Sequence, residues 1–153
     1  MVERYETRVF TLCYKIIKRR EEAEEVAQDI FVICFQKLNE LQDKKKFPNW
    51  LMKIAYSKAI DHVRRKQLVK TSIDEIKSYQ YKDDETPLKT TIVDNRRDLL
   101  KRAINLLEPI EASVIALYYM QEMTIKEIAE ITGMSLSNVK VKLFRARKTL
   151  KTI

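Results

Sequence analysis

The residues with the clearest chemical potential form a basic run near the C-terminal end of the 153-residue sequence. Between Ile131 and Ile153 there are six basic residues and no acidic one. Small polar side chains open this run and cations follow, a combination that can hydrogen-bond base edges in a DNA major groove and pair with phosphates. The residues predicted to contact duplex DNA are Ser137, Asn138, Lys140, Val141, Lys142, Phe144, Arg145, Arg147 and Lys148.

The rest of the sequence has no pattern typical of catalysis or of cofactor binding. We find no nucleophile–base pair, carboxylate cluster, glycine-rich phosphate loop or metal-ligand spacing in it. Cys13 and Cys34 each lie in an apolar helical stripe, which predicts buried free thiols. His62 is interpreted as a packing or solvated residue. We therefore expect a non-enzymatic protein without a cofactor or metal ion.

The positions before and within the basic run predict a helix-turn-helix. Thr124 and Glu127 have the spacing of a capping box, which marks a helix start. Gly133, the only glycine of the chain, suits the left-handed turn between two crossed helices. Ser135 can cap the second helix. The apolar stripe predicted on that helix comprises Leu136, Val139, Leu143, Ala146 and Leu150.

Composition and charge indicate an all-α protein with a polyanionic partner. Only one glycine and three prolines interrupt a sequence rich in helix-forming residues. The net charge of +8 favours nucleic acid or an anionic surface as the partner. No apolar run approaches the roughly 20 residues of a membrane span, and the first residues lack the apolar core of a signal peptide. We therefore expect no membrane insertion and a cytoplasmic location.

Charge divides the chain into three segments. Residues 1–69, 70–95 and 96–153 carry net charges of +5, −2 and +5, which together make the +8 of the whole chain. The middle segment is polar, contains Pro87 and lacks a sustained helical stripe, which predicts a flexible linker. The expected fold is therefore two small helical domains joined by a flexible linker that lets them sit tens of ångströms apart.

Helical periodicity predicts three helices in the first domain. An apolar stripe from Val2 to Ile17 marks the first helix. Pro48 opens the third helix, where its missing N–H costs little, and that helix is expected to run to Lys66. In the second helix the residues predicted to face inward are Val26, Ile30, Ile33, Cys34, Leu38 and Leu41.

These motifs resemble those of small bacterial sigma factors of the extracytoplasmic-function (ECF) group. The resemblance covers nearly the whole chain, because residues 1–66 are similar to region 2 of that family and residues 98–151 to region 4. The motifs that carry it are Ala-Glu-Glu-Val-Ala-Gln-Asp-Ile-Phe at 23–31, Phe-Pro-Asn-Trp-Leu-Met-Lys-Ile-Ala at 47–55, Ala-Ile-Asp-His-Val-Arg-Arg at 59–65, Leu-Leu-Glu-Pro at 106–109 and Ser-Asn-Val-Lys-Val-Lys-Leu-Phe-Arg-Ala-Arg at 137–147.

The resemblance implies a function. Members of the family bind core RNA polymerase and direct it to promoter DNA, where region 4 reads the −35 element as duplex and region 2 captures the −10 element as a single strand. An anti-sigma factor is an expected further partner. By family position, the polymerase would contact the outer face of the second helix at Glu25, Gln28, Asp29, Val32 and Gln36.

The resemblance also implies that the single-stranded −10 element meets the third helix. Unpaired bases are usually held by aromatic stacking and a basic groove, and in the family the Lys44–Lys46 loop helps to form a pocket for a flipped base. Trp50 and Tyr56 each remain open between core packing and base stacking. Tyr56-Ser57 stands where the family commonly carries Arg-Asn, so the −10 sequence preference is not carried over. The residues expected to contact the −10 strand are Lys53, Tyr56, Ser57, Lys58, Asp61, Arg64 and Arg65.

A stand-alone helix-turn-helix regulator is the main alternative. Such a protein would bind duplex DNA without polymerase, usually as a dimer on paired half-sites. The chain has no obvious dimerisation helix, and its first domain would then be unexplained. A DNA-processing enzyme that uses the motif for targeting is a third possibility, for which the sequence offers no catalytic residues.

Overall fold

The N-terminal lobe is a bundle of three helices. The computed structural model describes the backbone of residues 2–74 and 102–151 and the side chains of residues 4–70 and 102–151. Apolar side chains recur every three or four residues on each helix, so each helix presents one face to the other two. The elements are α1 (Val2–Ile17), α2 (Arg20–Lys37), the 3-10 turns Leu38–Glu40 and Lys44–Lys46, and α3 (Phe47–Asp74).

The core of this lobe is formed by the predicted stripes. Leu12 on α1, Ile30 on α2, and Leu51 and Ala55 on α3 are fully buried. Glutamates occupy the first turn of α2, where they meet the positive end of the helix dipole. Cys13 and the second cysteine are buried free thiols, as expected, and burial raises the pKa of Cys13 to about 12.

The C-terminal lobe contains the predicted helix-turn-helix behind a helix that starts at a proline. Pro109 lies at the N-terminal end of that helix, where proline is well tolerated. Residues 102–105 are also helical, whereas the predicted helix start at Leu99 lies outside the described residues. The elements are α4 (Pro109–Ile115), a π-helical turn (Ala116–Met120), α5 (Ile125–Thr132) and α6 (Leu136–Lys151).

The two lobes pack against each other. The sequence alone did not predict how the lobes are placed relative to one another. α1 contacts α4, α3 contacts both α4 and α5, and the buried residues of the two lobes form one continuous apolar cluster. Arg8 Nε donates to Gln121 Oε1 at 2.5 Å, and Gln121 Nε2 donates back to the Arg8 carbonyl at 3.2 Å. Lys18 Nζ donates to the Leu107 carbonyl. Burial between the lobes lowers the pKa of Lys18, against an opposing effect of Glu108.

The third helix is longer than expected. α3 continues to Asp74, eight residues beyond the predicted end at Lys66 and five residues into the predicted linker. No glycine or proline interrupts this stretch, so the helix can propagate past the bundle with Leu68 and Val69 exposed. The remainder of the predicted linker lies outside the described residues.

Two residues predicted to face the core are exposed. Leu38 is 43% exposed, because it lies in the 3-10 turn after α2 and not in the helix itself. Leu136 is 50% exposed and is the first residue of α6. The rest of the α6 stripe faces inward, with Val139, Leu143 and Ala146 buried.

Glu22 links α2 to α3 and makes the stability of the bundle depend on pH. Its carboxylate accepts hydrogen bonds from His62 Nε2 at 3.0 Å and from Lys66 Nζ at 2.6 Å. Burial alone would raise the pKa of Glu22, but the bonds from Lys66 and His62 outweigh it, and the net pKa is lowered from its ordinary value of 4.5. A lowered pKa in the folded state stabilises the fold above pH 4.5, and this contribution is lost as the pH falls through the folded pKa.

We therefore expect Glu22→Gln to lower the free energy of unfolding at neutral pH but to have little effect at a pH below the folded pKa. Urea unfolding followed by circular dichroism at both pH values measures the difference. Glu24→Gln is the matched control, because Glu24 forms only an exposed pair with Arg20 at 3.3 Å, and such pairs contribute little. An equal effect of Glu22→Gln at both pH values would contradict the conclusion that the ionised Glu22 carboxylate stabilises the fold.

Candidate nucleic-acid interface

The turn of the helix-turn-helix is built by local hydrogen bonds and one left-handed residue. Glu127 N–H donates to Thr124 Oγ1 at 3.1 Å, and Thr124 N–H donates to Glu127 Oε1 at 3.1 Å, so the predicted capping box is confirmed. Gly133 ends α5 with φ +78°. A Cβ added there would meet no heavy atom within 4 Å, so the position requires a left-handed backbone and not a small side chain.

The second helix of the motif is capped as predicted and presents its polar face to solvent. Asn138 N–H donates to Ser135 Oγ at 3.1 Å. Phe144 is 67% exposed and Val141 is 43% exposed, which leaves apolar groups on a surface otherwise made of cations and small polar side chains. Of the nine residues predicted to contact duplex DNA, Lys142 is half-buried; the other eight are exposed, namely Ser137, Asn138, Lys140, Val141, Phe144, Arg145, Arg147 and Lys148.

These residues occupy defined positions around α6. At about 100° per residue, seven of the nine fall within a sector about 160° wide that begins at Lys140 and ends at Asn138. Arg147 lies just outside one edge of this sector and Lys142 just outside the other. A helix in a major groove has a phosphate backbone on each side, so the reading face has one cation at each flank.

Arg147 is held by two tyrosines from the π-helical turn. Its Nε donates to Tyr119 Oη at 2.7 Å. The guanidinium carbon lies 5.5 Å from the Tyr118 ring centre and 5.6 Å from the Tyr119 ring centre, which is within cation–π range. The two rings pack edge to face at 4.9 Å. The sequence-based prediction missed Tyr119, whose only signal was an adjacent pair of tyrosines.

The residues predicted to contact single-stranded DNA fall on one side of α3, apart from Tyr56. At about 100° per residue, six of them share a sector about 140° wide. Asp61 is half-buried, and the other five residues in this sector are exposed: Lys53, Ser57, Lys58, Arg64 and Arg65. Four of the five exposed residues are cations, so this face of α3 is suited to a phosphate backbone.

Tyr56 lies outside that sector and between the lobes. It is 8% exposed, and its hydroxyl hydrogen-bonds Ser113 on α4. Ser113 Oγ itself donates to the Ile110 carbonyl at 2.6 Å. Burial raises the pKa of Tyr56, against smaller effects of Arg64 and Ser113. In this arrangement Tyr56 packs between the lobes, and its contact with the −10 strand stays a prediction.

The start of α3 is also tied to the other lobe. Trp50 is half-buried and packs against Phe47 at a ring-centre distance of 5.9 Å. The hydrogen bond from the Thr124 backbone lowers the pKa of Glu127 against the opposing effect of burial, and the Asn49 side chain on α3 lowers it further. The lysine loop before α3 is a 3-10 turn capped by Asp43, whose side chain accepts from Lys45 N–H at 3.0 Å.

The predicted polymerase face of α2 is exposed and more apolar than expected. All five of its predicted residues are exposed: Glu25, Gln28, Asp29, Val32 and Gln36. Next to them Phe35 is 65% exposed and Leu38 is 43% exposed. The sequence-based prediction did not include these two. Phe35 follows Val32 by three residues, and that spacing was the available signal.

A groove of about 320 Å³ joins this face of α2 to the basic face of α3. Asp29 and Val32 line one wall, and Lys58, Asp61 and Arg65 line the other. The sequence-based prediction treated the polymerase face of α2 and the basic face of α3 as two separate surfaces. Because they border one groove, a charge change at Asp29 also alters the field at Lys58 and Arg65.

Residues 2–74 and 102–151 contain neither a candidate metal cluster nor a membrane-spanning helix. No group of three or more histidine, cysteine, aspartate or glutamate side chains there could hold a metal ion. No helix in those ranges is long and apolar enough to cross a membrane.

Each of the two lobes matches the model of a known protein family. The family model described as Sigma-70 region 2 matches residues 1–69, and the model described as Sigma-70, region 4 matches residues 97–150. The RNA polymerase sigma factor YlaC of Bacillus subtilis (strain 168) is 30% identical over 157 residues, which span 99% of this chain and 88% of YlaC. The ECF RNA polymerase sigma factor SigW of the same organism is 26% identical, over 99% of this chain and 85% of SigW.

A solved structure has the same fold. It contains the sigma factor RpoE in complex with the anti-sigma factor NepR from Bartonella quintana. The TM-score is 0.78 at 16% sequence identity, and the match covers 99% of this chain and 92% of the solved chain.

Proposed function

Since the chain belongs to the ECF group of sigma-70 family RNA polymerase sigma factors, we propose that it binds core RNA polymerase and directs it to specific promoters. The observation that carries the proposal is the exposed, acid-free reading face of α6, which follows a helix closed by a capping box and the left-handed Gly133. In this role the protein is a transcription initiation factor and not an enzyme. An anti-sigma factor is a further proposed partner, and the structurally similar RpoE was solved with one.

The C-terminal lobe would read the −35 element as duplex. Lys140 and Arg145 can hydrogen-bond base edges, because lysine and arginine donors match the two acceptors of guanine. Phe144 and Val141 are exposed where a thymine methyl group could pack. The buried stripe beneath them fixes the helix, so these side chains are held at defined positions.

The N-terminal lobe would hold the melted −10 strand along α3. The proposed contacts come from the exposed cations of α3 and from Ser57, which offers one hydroxyl where the family commonly has an amide. Tyr56 is not available for base stacking while the lobes are packed together. A basic groove without aromatic stacking binds mainly the phosphate backbone of the strand. It therefore favours binding with little preference for particular bases.

Core polymerase would dock on the outer face of α2. Support comes from the exposed side chains of Asp29 and Gln28 beside the exposed apolar group formed by Val32, Phe35 and Leu38. Exposed apolar side chains that lie together on a small domain commonly mark a protein interface.

Run-off transcription with purified core polymerase and sheared genomic DNA tests the proposed function. Initiation at defined start sites that depends on this protein is the expected result. Duplex binding without any association with core polymerase would overturn the proposal and favour the stand-alone regulator.

Asp29→Arg is expected to weaken binding to core polymerase by at least about tenfold, because an unfavourable charge pair across an interface costs several kcal/mol. Binding is measured by fluorescence anisotropy with labelled protein. Glu24→Arg is the matched control, because it makes the same charge change on α2 about 140° away from Asp29. Equal losses for both variants, or unchanged binding of Asp29→Arg with a retained helical spectrum, would contradict the docking face.

A further inference from the structure

The contact between Arg147 and the tyrosine pair has a property that ordinary arginine pairing lacks. Both partners of the guanidinium are neutral, since Tyr119 accepts its Nε–H and the Tyr118 ring lies 5.5 Å from its centre. An aspartate or glutamate in place of Tyr119 would hold the arginine equally well but would cancel its charge. No acidic residue lies between Ile131 and Ile153. The full positive charge is therefore retained at the edge of α6.

The geometry leaves donors for a second partner. A guanidinium has five N–H donors, and Tyr119 uses the one on Nε. Arg147 remains exposed even though two rings restrict its movement. Restricting a long side chain before binding reduces the rotamer entropy that is lost on contact.

We infer that Tyr119 is a positioning residue that orients Arg147 toward a DNA phosphate beside the major groove read by α6. Arginine suits this role because its planar fork can pair with two phosphate oxygens. The π-helical turn is what brings the tyrosine pair to α6. π-Helical turns are found frequently at functional sites. The inference rests on the proposed DNA-binding role of α6 and adds a residue that this role did not include.

The decisive variant is Tyr119→Glu, because it separates a positioning role from a purely structural one. Glutamate can still pair with Arg147 and tie α6 to the π-helical turn, but it neutralises the guanidinium. Met120→Glu is the matched control. It adds the same charge at the neighbouring residue, which is 48% exposed and outside the described contacts of Arg147. Any general repulsion from DNA should be similar in the two variants.

The probe is a random-sequence duplex of about 30 base pairs, because phosphate contacts do not depend on sequence and weaken with salt. Affinity is measured by anisotropy with the full-length protein between about 50 and 200 mM salt. We expect Tyr119→Glu to bind at least about fivefold more weakly than Met120→Glu, with a salt slope smaller by about one and an unchanged melting temperature. Equal affinities and slopes for the two variants would overturn the inference.

A second comparison tests whether Tyr119 acts through Arg147. Tyr119→Phe removes the hydroxyl and keeps the ring, so it should weaken duplex binding in the natural background and have no effect in an Arg147→Ala background. If Tyr119→Phe weakens duplex binding by the same factor in both backgrounds, Tyr119 does not act through Arg147 and the positioning role is overturned. These measurements need no polymerase, so failed run-off initiation would count against the proposed function alone. Undetectable duplex binding by the unsubstituted protein at about 50 mM salt would overturn this inference alone.

Discussion

Leu143→Ala is expected to destabilise the protein by about 2–5 kcal/mol and to abolish −35 recognition, because it removes the centre of the stripe that holds α6. Leu143 is 2% exposed, and its neighbours in the stripe, Val139 and Ala146, are fully buried. Urea unfolding followed by circular dichroism measures the loss of stability. Promoter binding is measured on a duplex from a start site mapped by run-off transcription.

Phe144→Ala is the matched control, one residue further along α6 on its reading face. Its ring is 67% exposed, so we expect stability to change by no more than about 0.5 kcal/mol. Loss of its contact should nevertheless cost about 1–3 kcal/mol of promoter affinity. If Phe144→Ala binds the promoter normally, or Leu143→Ala unfolds at the same urea concentration as the unsubstituted protein, the division of α6 into a core face and a reading face is wrong.

Tyr56→Ala is expected to lower the free energy of unfolding by about 3–5 kcal/mol, the usual cost of truncating a buried aromatic residue. The ring lies between the lobes with its hydroxyl on Ser113. Tyr56→Phe should cost only the hydrogen bond, about 0.5–1.5 kcal/mol. Urea unfolding of the full-length protein measures both values.

Tyr56→Leu separates packing from base stacking. Leucine retains much of the apolar volume but has no aromatic face. If Tyr56 only packs, single-stranded −10 DNA should bind this variant and the unsubstituted protein equally. If it stacks on a base, binding should weaken by about 1–3 kcal/mol, the usual contribution of one stacked base. We expect equal binding, and a loss of that size would restore Tyr56 to the −10 contacts.

The helix-turn-helix was predictable because its signals are local. Thr124 and Glu127 cap a helix through atoms three residues apart, and Gly133 ends that helix through its own φ angle. Helical spacing likewise identified the buried face of α6 from Val139 to Ala146. The family resemblance added the assignment of the first lobe to polymerase and to the −10 strand, which composition and spacing do not provide.

The features missed by the sequence-based prediction depend on contacts between distant segments. The spacing of Tyr56 places it outside the exposed sector of α3, but no local signal indicates that the second lobe packs against it. Tyr119 meets Arg147, 28 residues away, through a π-helical turn that has no sequence signature. Leu38 was predicted to be buried because its spacing continues the α2 stripe, but the helix ends at Lys37. Periodicity alone does not locate such ends.

The conformation of Gly133 has a stereochemical consequence for the whole motif. The open space around the position means that the turn restricts the sign of the φ angle and not the size of the side chain. The mirror-image form of alanine prefers the φ angle of +78° found there, whereas the natural L form is strained at that angle. The crossing of the two helices, and with it the direction in which the reading face points, therefore depends on the one amino acid of the genetic code that is achiral.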